Sequence, residues 1–359
     1  MPVTLESILQ RDRNNFDLIR ILAAASVILG HSFALHPAGG WQDPLGQVFE
    51  FTYSGSIAVD TFFFLSGIFV AASFCQSQSL TRFAVMRAAR ILPGLLVCLA
   101  VTALLVGAVV TSKSAAEYFG SGEVGHYVLK NIQLQKLFNR LPGVFEFNHF
   151  KFAVNGSLWT LPVEVRCYAM VFLFGVLGGF KRVGWSIALA VLLAALALVY
   201  PEAFRVFRVS EDVKIRLPLI FSLGTLCYVN RSQIRIDWRI SVAALLVALI
   251  FRSTLLGVFA GYLFLINTVL VFGSVDFLRR LKLPGDYSFG IYIYGWVIQQ
   301  CVANYLPRLE AYPSLLLTLP LSIVAGMLSW HFIESPSLRF ARKVSDRYEI
   351  KRGLKRNAA

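Results

Sequence analysis

Long apolar runs alternate with short polar segments along the whole chain. A helix needs about 20 mostly apolar residues to cross the ~30 Å hydrocarbon core of a membrane, and the runs have about that length or slightly less. They lie near 17–36, 57–75, 91–111, 157–178, 184–200, 214–230, 240–251, 255–273, 287–304 and 314–334. The pattern predicts an all-α, polytopic membrane protein with about ten transmembrane helices.

The number of spans depends on the seventh and eighth runs, which only Phe251-Arg252-Ser253-Thr254 separates. This segment is either a turn between two spans or a break within one, which would leave nine. With ten spans and a cytoplasmic N-terminus, roughly two-thirds of the Lys and Arg residues fall on the inside, as the positive-inside rule requires. Nine spans would place the basic residues of 339–359 outside, so the charges favour ten spans and two cytoplasmic termini.

The composition supports a membrane protein and limits the classes of partner that we expect. The chain is 57% hydrophobic and 15% charged, whereas a soluble domain has about 25% charged residues. The net charge of +14 follows from basic residues between the apolar runs, so no nucleic-acid partner is expected. The five cysteines form no CxxC pair, and we expect neither a disulfide nor a metal site.

The sequence divides into a transmembrane domain at 1–338 and a basic cytoplasmic tail at 339–359. The first 15 residues are polar, so we expect no cleavable leader within the first twenty residues, and the first apolar run is expected to stay as a membrane helix. Ser335-Pro336 predicts the end of the last span. The basic tail is expected to lie near anionic lipid.

The first apolar run contains two ionisable side chains, Arg20 and His31. Eleven residues at 100° each bring both side chains to one helix face, about 16 Å apart along the axis. An ionisable residue within a membrane helix is costly and indicates function. His31 is a candidate general base, because a neutral imidazole accepts a proton near physiological pH. The alternatives are an interhelical hydrogen bond for His31 and an interfacial anchor for Arg20.

Two arginines, Arg87 and Arg90, lie three residues apart on one face at the predicted cytoplasmic mouth. Paired guanidinium groups bind phosphate well, although ordinary positive-inside charge explains them equally well. In the fourth span, Trp159 lies at the start and Glu164 lies within the apolar helix. Glu164 is suited to orient an imidazole, to accept a sugar hydroxyl, or to pair with an arginine on another helix.

Two further candidates lie near the end of the chain. Tyr292 belongs to an aromatic stretch that lines either a polar pocket or an apolar packing face. Glu334 lies just before the basic tail, where it serves a substrate or forms an interfacial ion pair.

Several motifs, in their order, resemble acyltransferase family 3 of integral membrane proteins, whose members O-acylate envelope sugars, lipopolysaccharide, peptidoglycan and nodulation-type oligosaccharides. The resemblance covers nearly the whole chain. The matching segments are Phe16–Arg20 followed by His31, Asp60–Gly67, Arg87–Pro93, Ser157–Glu164, Ser288–Tyr292 and Glu334–Pro336. One departure is that many members carry a His-aromatic pair where this chain has Gly295-Trp296.

The resemblance implies a membrane-bound O-acyltransferase that moves an acyl group, expected to be acetyl, from acyl-CoA to a hydroxyl of a cell-surface saccharide or lipid-linked sugar. Acyl-CoA is then a donor substrate, and no bound cofactor is expected. The implied catalytic residues are His31, Arg20 and Glu164, and the implied substrate-binding residues are Arg87, Arg90, Trp159, Tyr292 and Glu334. His31 acts either as a base or as a transient acyl carrier.

The expected location is the bacterial-type inner membrane, which the chain crosses several times. Membrane lipid is an expected partner, and homo-oligomerisation is left open. The competing interpretation is a polytopic transporter or flippase of a lipid-linked sugar or an acyl group. Transporters commonly show paired, broken helices in two related halves, and the sequence shows no such pairing.

Overall fold

The structure is a computed structural model that describes residues 3–10, 13–49, 51–77, 79–181, 213–281 and 283–351. These residues are helical and form no strand, apart from one isolated antiparallel bridge between Thr4 and Arg235. The long helices are α1 (Phe16–Leu35), α2 (Ser54–Gln76), α3 (Leu80–Val101), α4 (Leu161–Val176), α5 (Val213–Val229), α6 (Trp238–Ile250), α7 (Leu255–Ser274), α8 (Ser288–Tyr305), α9 (Ala311–Ser329) and α10 (Ser335–Lys351).

Shorter elements lie between and within these helices. The short α-helices are Leu5–Ile8, Pro44–Val48, Gly107–Val110, Ala115–Gly120 and Glu123–Ile132. The 3₁₀ turns are Ala38–Gly40, Gly156–Thr160, Gly179–Lys181 and Leu278–Arg280, and the π-helical turns are Thr102–Val106 and Trp330–Glu334.

The predicted all-α class is confirmed, and every predicted apolar run except one coincides with a helix. The exception, 184–200, lies outside the described residues. Six helices of the described chain have the length and apolar composition to cross a membrane, which agrees with a multi-pass membrane protein. They are Phe16–Leu35, Ser54–Gln76, Leu80–Val110, Gly156–Val176, Leu255–Ser274 and Ala311–Ile350.

Two helices are longer than the apolar pattern predicts. α3 begins at Leu80, where the Ser79 side chain accepts a hydrogen bond from the Arg82 amide at 3.1 Å. The predicted helix end at Ser335-Pro336 is wrong, because the chain passes through the π-helical turn directly into α10. A proline lacks the amide hydrogen and clashes inside a regular α-helix, but the first turn of a helix accommodates it. The π-helical turn makes Pro336 such a first-turn residue.

By their internal contacts the residues form two compact units. The first comprises Met1–Val27, Gln42–Cys75 and Arg166–Pro284, and the second comprises Ile28–Trp41, Gln76–Val165 and Gly285–Ala359.

In the first unit, α6 and α7 form an antiparallel hairpin. The Asn267 side chain of α7 donates to the Asp237 carbonyl at 2.8 Å and to Ser241 Oγ at 2.7 Å, at the start of α6. Residues 251–253 form the turn between them. The seventh and eighth apolar runs are therefore two helices and not one broken segment.

The first unit also contains a buried ion pair between α2 and α5. Arg216 Nε lies 3.3 Å from Asp60 Oδ1, and Arg216 Nη2 donates to Ser56 Oγ at 2.8 Å. The Tyr262 hydroxyl donates to Asp60 Oδ2 at 3.3 Å. Both charged side chains are almost completely buried, and each supplies the partner that a charge in an apolar environment requires.

The same two helices touch backbone to backbone at a pair of glycines. A Cβ at Gly67 would overlap the Phe221 carbonyl oxygen, and a Cβ at Gly224 would overlap the Phe64 carbonyl oxygen. Small residues allow such close approach between membrane helices. The α2–α5 contact therefore depends on the absence of a side chain at both positions.

We expect Gly67→Ala to destabilise the protein by about 1–3 kcal/mol, the usual cost of overpacking a tight contact. Gly125→Ala is the matched control, because a Cβ there would meet no atom within 4 Å. Thermal unfolding of both variants in detergent measures the difference. Equal midpoints for the two variants would show that the α2–α5 contact is not tight.

Candidate active site

Helix α8 is buried over most of its length and carries the polar contacts of the second unit. Its polar side chains Tyr292, Gln299 and Gln300 are 9%, 0% and 0% exposed. A polar group in an apolar environment is costly unless it is hydrogen-bonded. The neighbouring segments accordingly supply partners along α8, from the residues just before the helix to its last turns.

Just before α8, Arg90 of α3 joins two carboxylates. Arg90 Nη2 lies 2.6 Å from Asp286 Oδ2, and Arg90 Nη1 lies 3.2 Å from Glu334 Oε2. Ser288 Oγ donates to Asp286 Oδ1 at 2.5 Å, and Ser329 Oγ donates to Glu334 Oε1 at 2.8 Å. The three charged side chains are at most 12% exposed. This network joins α3, the start of α8 and the π-helical turn after α9.

In its second turn, α8 contacts the segment that leads into α4. The Tyr292 hydroxyl donates to the Ser157 carbonyl at 2.7 Å and lies 2.7 Å from Thr160 Oγ1. The Asn155 side chain donates to the Ile293 carbonyl at 2.8 Å. Two side-chain atoms of this segment, Asn155 Oδ1 and Ser157 Oγ, are buried and have no hydrogen-bond partner among the described residues.

One turn further along α8, Trp296 contacts His31 of α1. The two rings are edge to face, with centroids 4.7 Å apart and planes at 82°. Trp296 Nε1 donates to the Ala153 carbonyl at 2.7 Å, and its ring packs against Gly156 so closely that a Cβ there would lie 2.7 Å from it. Trp296 thus fixes the position of the His31 ring relative to the 153–156 segment.

One ring nitrogen of His31 is available for a hydrogen bond. Its Nδ1 is buried and has no hydrogen-bond partner within the described part of the chain. Nearby, Gln299 Nε2 donates to the Ile28 carbonyl at 2.8 Å, while Gln299 Oε1 is buried without such a partner there. Buried polar atoms are normally paired in the folded state. Unpaired ones around a histidine are therefore candidates to bind a substrate.

The structure shows what surrounds Gly295 and Trp296, the two positions at which many members of the family carry a His-aromatic pair. A Cβ at Gly295 would lie 3.1 Å from Ile28 Cγ1, so α8 approaches α1 closely at this level. The space beside His31 is occupied by the ring of Trp296. The sequence alone did not indicate the role of Trp296, because its contacts come from segments far apart in the chain.

Seven of the eight predicted site residues lie in the second unit, and Arg20 lies in the first. Arg90 and Glu334 contact each other directly, and Tyr292 binds the segment that contains Trp159. The remaining three are partly buried: Arg87 on α3, Trp159 in the 3₁₀ turn before α4, and Glu164 in the first turn of α4.

Sequence reasoning missed Asp286 and Asn155. Asp286 lies in a polar loop, where a carboxylate is ordinary and does not indicate a functional site. Its spacing to Ser288 is nevertheless typical of a local side-chain hydrogen bond. Asn155 precedes a motif without belonging to it.

The fold and the site together define a multi-pass helical membrane protein in which several polar groups are buried around one central helix, and His31 Nδ1 has no hydrogen-bond partner among the described residues. The family model for the acyltransferase domain of acyltransferase family 3 matches residues 13–331. The chain belongs to this family and is an acyltransferase.

Two relatives have similar sequences. An O-acetyl transferase of Shigella phage Sf6 is 30% identical over 354 residues, which cover 94% of this chain and 98% of the relative. Nodulation protein 10 of Rhizobium leguminosarum bv. viciae is 34% identical over 190 residues, 51% of this chain and 49% of the relative. No solved structure matches the chain.

We expect Arg90→Gln to lower stability by about 3–5 kcal/mol, because removal of one partner leaves buried carboxylates uncompensated. The exposed Arg342 is the matched control, and Arg342→Gln should leave the thermal midpoint in detergent nearly unchanged. The network would be unimportant for stability if both variants unfolded at the same temperature.

Proposed function

We propose that this acyltransferase moves an acetyl group from acetyl-CoA to a hydroxyl of a cell-surface saccharide or a lipid-linked sugar. Two observations support an O-acetyl transfer: the family to which the chain belongs and its similarity to the phage O-acetyl transferase over nearly the full length of both. The observation that carries the residue assignment is the position of His31 beside Trp296, with a buried Nδ1 that has no hydrogen-bond partner in the described part of the chain.

In the proposed reaction, His31 removes the proton of the acceptor hydroxyl as its oxygen attacks the thioester carbonyl carbon. A C–O bond forms and the C–S bond breaks. The departing CoA thiolate then takes the proton from the imidazolium, so that no charge accumulates. In the alternative, the imidazole itself attacks the thioester and carries the acetyl group to the hydroxyl. The buried amide and hydroxyl groups of Asn155, Ser157 and Gln299 are suited to bind the polar groups of donor and acceptor.

The donor phosphates are assigned to the α3 arginines. Arg90 is engaged by Asp286 and Glu334, so a phosphate must compete with two carboxylates for it. We assign a phosphate contact to Arg87, because it lies three residues earlier on the same face of α3 and at the same predicted cytoplasmic mouth, and we assign a supporting role to the Arg90–Glu334 pair. Arg20, eleven residues before His31 on α1, is the second candidate for a phosphate contact.

The acceptor side of the site is assigned to the α4 entrance. The Tyr292 hydroxyl holds the backbone and Thr160 hydroxyl of this segment in place. Trp159 lies next to Thr160 and is partly buried, and an aromatic face is suited to stack against a sugar ring. We assign to Glu164, one turn into α4, the role of orienting the reacting groups through a hydrogen bond.

The charge pattern supports a location in a bacterial-type inner membrane with ten spans and both termini in the cytoplasm. In that orientation, α1 and α8 both run from the cytoplasmic side outward. The Arg90 network then lies at the cytoplasmic mouth, where acetyl-CoA is available, and His31 lies deeper along the same path.

We expect His31→Ala to lower acetyl transfer by about 10²–10⁴-fold, the usual contribution of a general base. The assay incubates purified protein with labelled acetyl-CoA and envelope glycolipids and follows the label by mass spectrometry. His149→Ala is the matched control, since His149 is exposed.

Normal activity of a folded His31→Ala variant would contradict the role of His31. Wild-type protein that consumes no acetyl-CoA but moves a lipid-linked sugar between the leaflets of a vesicle would favour the transporter interpretation instead.

A further inference from the structure

Helix α10 lies beyond the segment that the family model matches, which ends at residue 331. The helical segment Ala311–Ile350 has 40 residues. At ~1.5 Å per residue it is about 60 Å long, twice the ~30 Å hydrocarbon core. The α10 half of this segment, which carries most of its charges, therefore lies at or outside the membrane surface.

Ion pairs hold α10 against the first turns of α3. Arg82 Nη1 lies 2.6 Å from Asp346 Oδ1 and 3.0 Å from Glu349 Oε2. Ser79 Oγ donates to Glu349 Oε1 at 3.1 Å, and Glu349 is completely buried. The basic segment after the last span thus begins as a docked helix with a defined inner face.

The two helices enclose an apolar groove of about 490 Å³. This volume lies in the range of small-molecule pockets, about 300–1,000 Å³. The groove is open to the outside, and Phe340 on its rim is 70% exposed. Its lining consists of Val85, Ala89 and Pro93 of α3 and Pro336, Ser337, Phe340, Ala341 and Val344 of α10.

The open side of the groove is basic. Lys343 and Arg347 are exposed and follow the groove residues Phe340 and Val344 at the i+3 position, which places them on the neighbouring face of α10. The acidic residues of this part of α10, Asp346 and Glu349, are paired with Arg82 on the inner face. Positive charge therefore borders the apolar groove on its outer edge, where a membrane-surface helix meets lipid headgroups.

We infer that this groove is a binding site for an anionic phospholipid. One acyl chain lies between α3 and α10 against Ala89 and Phe340, and the phosphate group binds Lys343 and Arg347. Burial of each methylene group of the chain contributes about 0.8 kcal/mol, and each basic residue near the headgroup adds electrostatic attraction. The inference rests on the groove and its charges and does not depend on the reaction proposed above.

The test is native mass spectrometry of the full chain. The protein is mixed in detergent with equal amounts of phosphatidylglycerol and phosphatidylcholine and is then released from the detergent in the spectrometer. We expect the protein to retain phosphatidylglycerol preferentially. Arg347→Gln should lower the fraction with bound phosphatidylglycerol about fivefold, the factor that corresponds to one basic contact. Arg342→Gln is the control, because it removes the same charge from an exposed position about 160° around the helix from Phe340.

A second variant tests the groove without a change of charge. Ala89→Leu should fill the groove and lower retention of phosphatidylglycerol, while its thermal midpoint without lipid stays near the wild-type value. Equal retention of both lipids, equal losses in the Arg347 and Arg342 variants, or undiminished retention by a folded Ala89→Leu variant would each overturn the proposal. Displacement of the lipid by inorganic phosphate alone would also overturn it, since the site would then bind an anion without its acyl chain.

Discussion

The second unit depends on one constraint: polar side chains on a membrane helix must find partners inside the protein. Helix α8 meets this requirement in successive turns, through Tyr292 with the Ser157 carbonyl, Trp296 with the Ala153 carbonyl, and Gln299 with the Ile28 carbonyl. Water supplies no alternative partner in the hydrocarbon region. The segments around α8 are therefore fixed by hydrogen bonds as well as by packing. Among the described residues, His31 Nδ1 and three polar atoms near it, Asn155 Oδ1, Ser157 Oγ and Gln299 Oε1, are buried without a hydrogen-bond partner.

The arginine network before α8 shows how one pairing organises several elements. Arg90 and Glu334 are separated by 244 residues in the chain, and neither position alone indicates the other. Their contact, together with Asp286, fixes α3 relative to α8 and to the π-helical turn. A buried charge that loses its partner is strongly destabilising. The geometry near the proposed donor entrance thus depends on charge pairing.

Much of the fold follows from apolar periodicity, because a helix that crosses lipid must be long and apolar whatever its neighbours are. The same logic singled out His31, since ionisable residues in apolar runs are rare, whereas Arg90 and Glu334 were singled out at the predicted cytoplasmic ends of the spans. The partners of these residues could not be predicted from the sequence, because Asp286 and Asn155 lie in segments where polar residues are ordinary. The continuation of α9 into α10 was also missed, since a π-helical turn before Pro336 leaves no recognisable pattern.

The proposed reaction requires that acetyl-CoA bind with its phosphates at α3 and its acetyl group beside His31. A cryo-electron microscopy structure of the full chain in lipid nanodiscs, with a non-hydrolysable thioether analogue of acetyl-CoA, tests it directly. The account predicts the acetyl group beside the His31 and Trp296 rings and the donor phosphates at Arg87, with the Arg90–Glu334 pair intact. An analogue whose acetyl group lies away from His31, or whose phosphates bind elsewhere than α3, would contradict it.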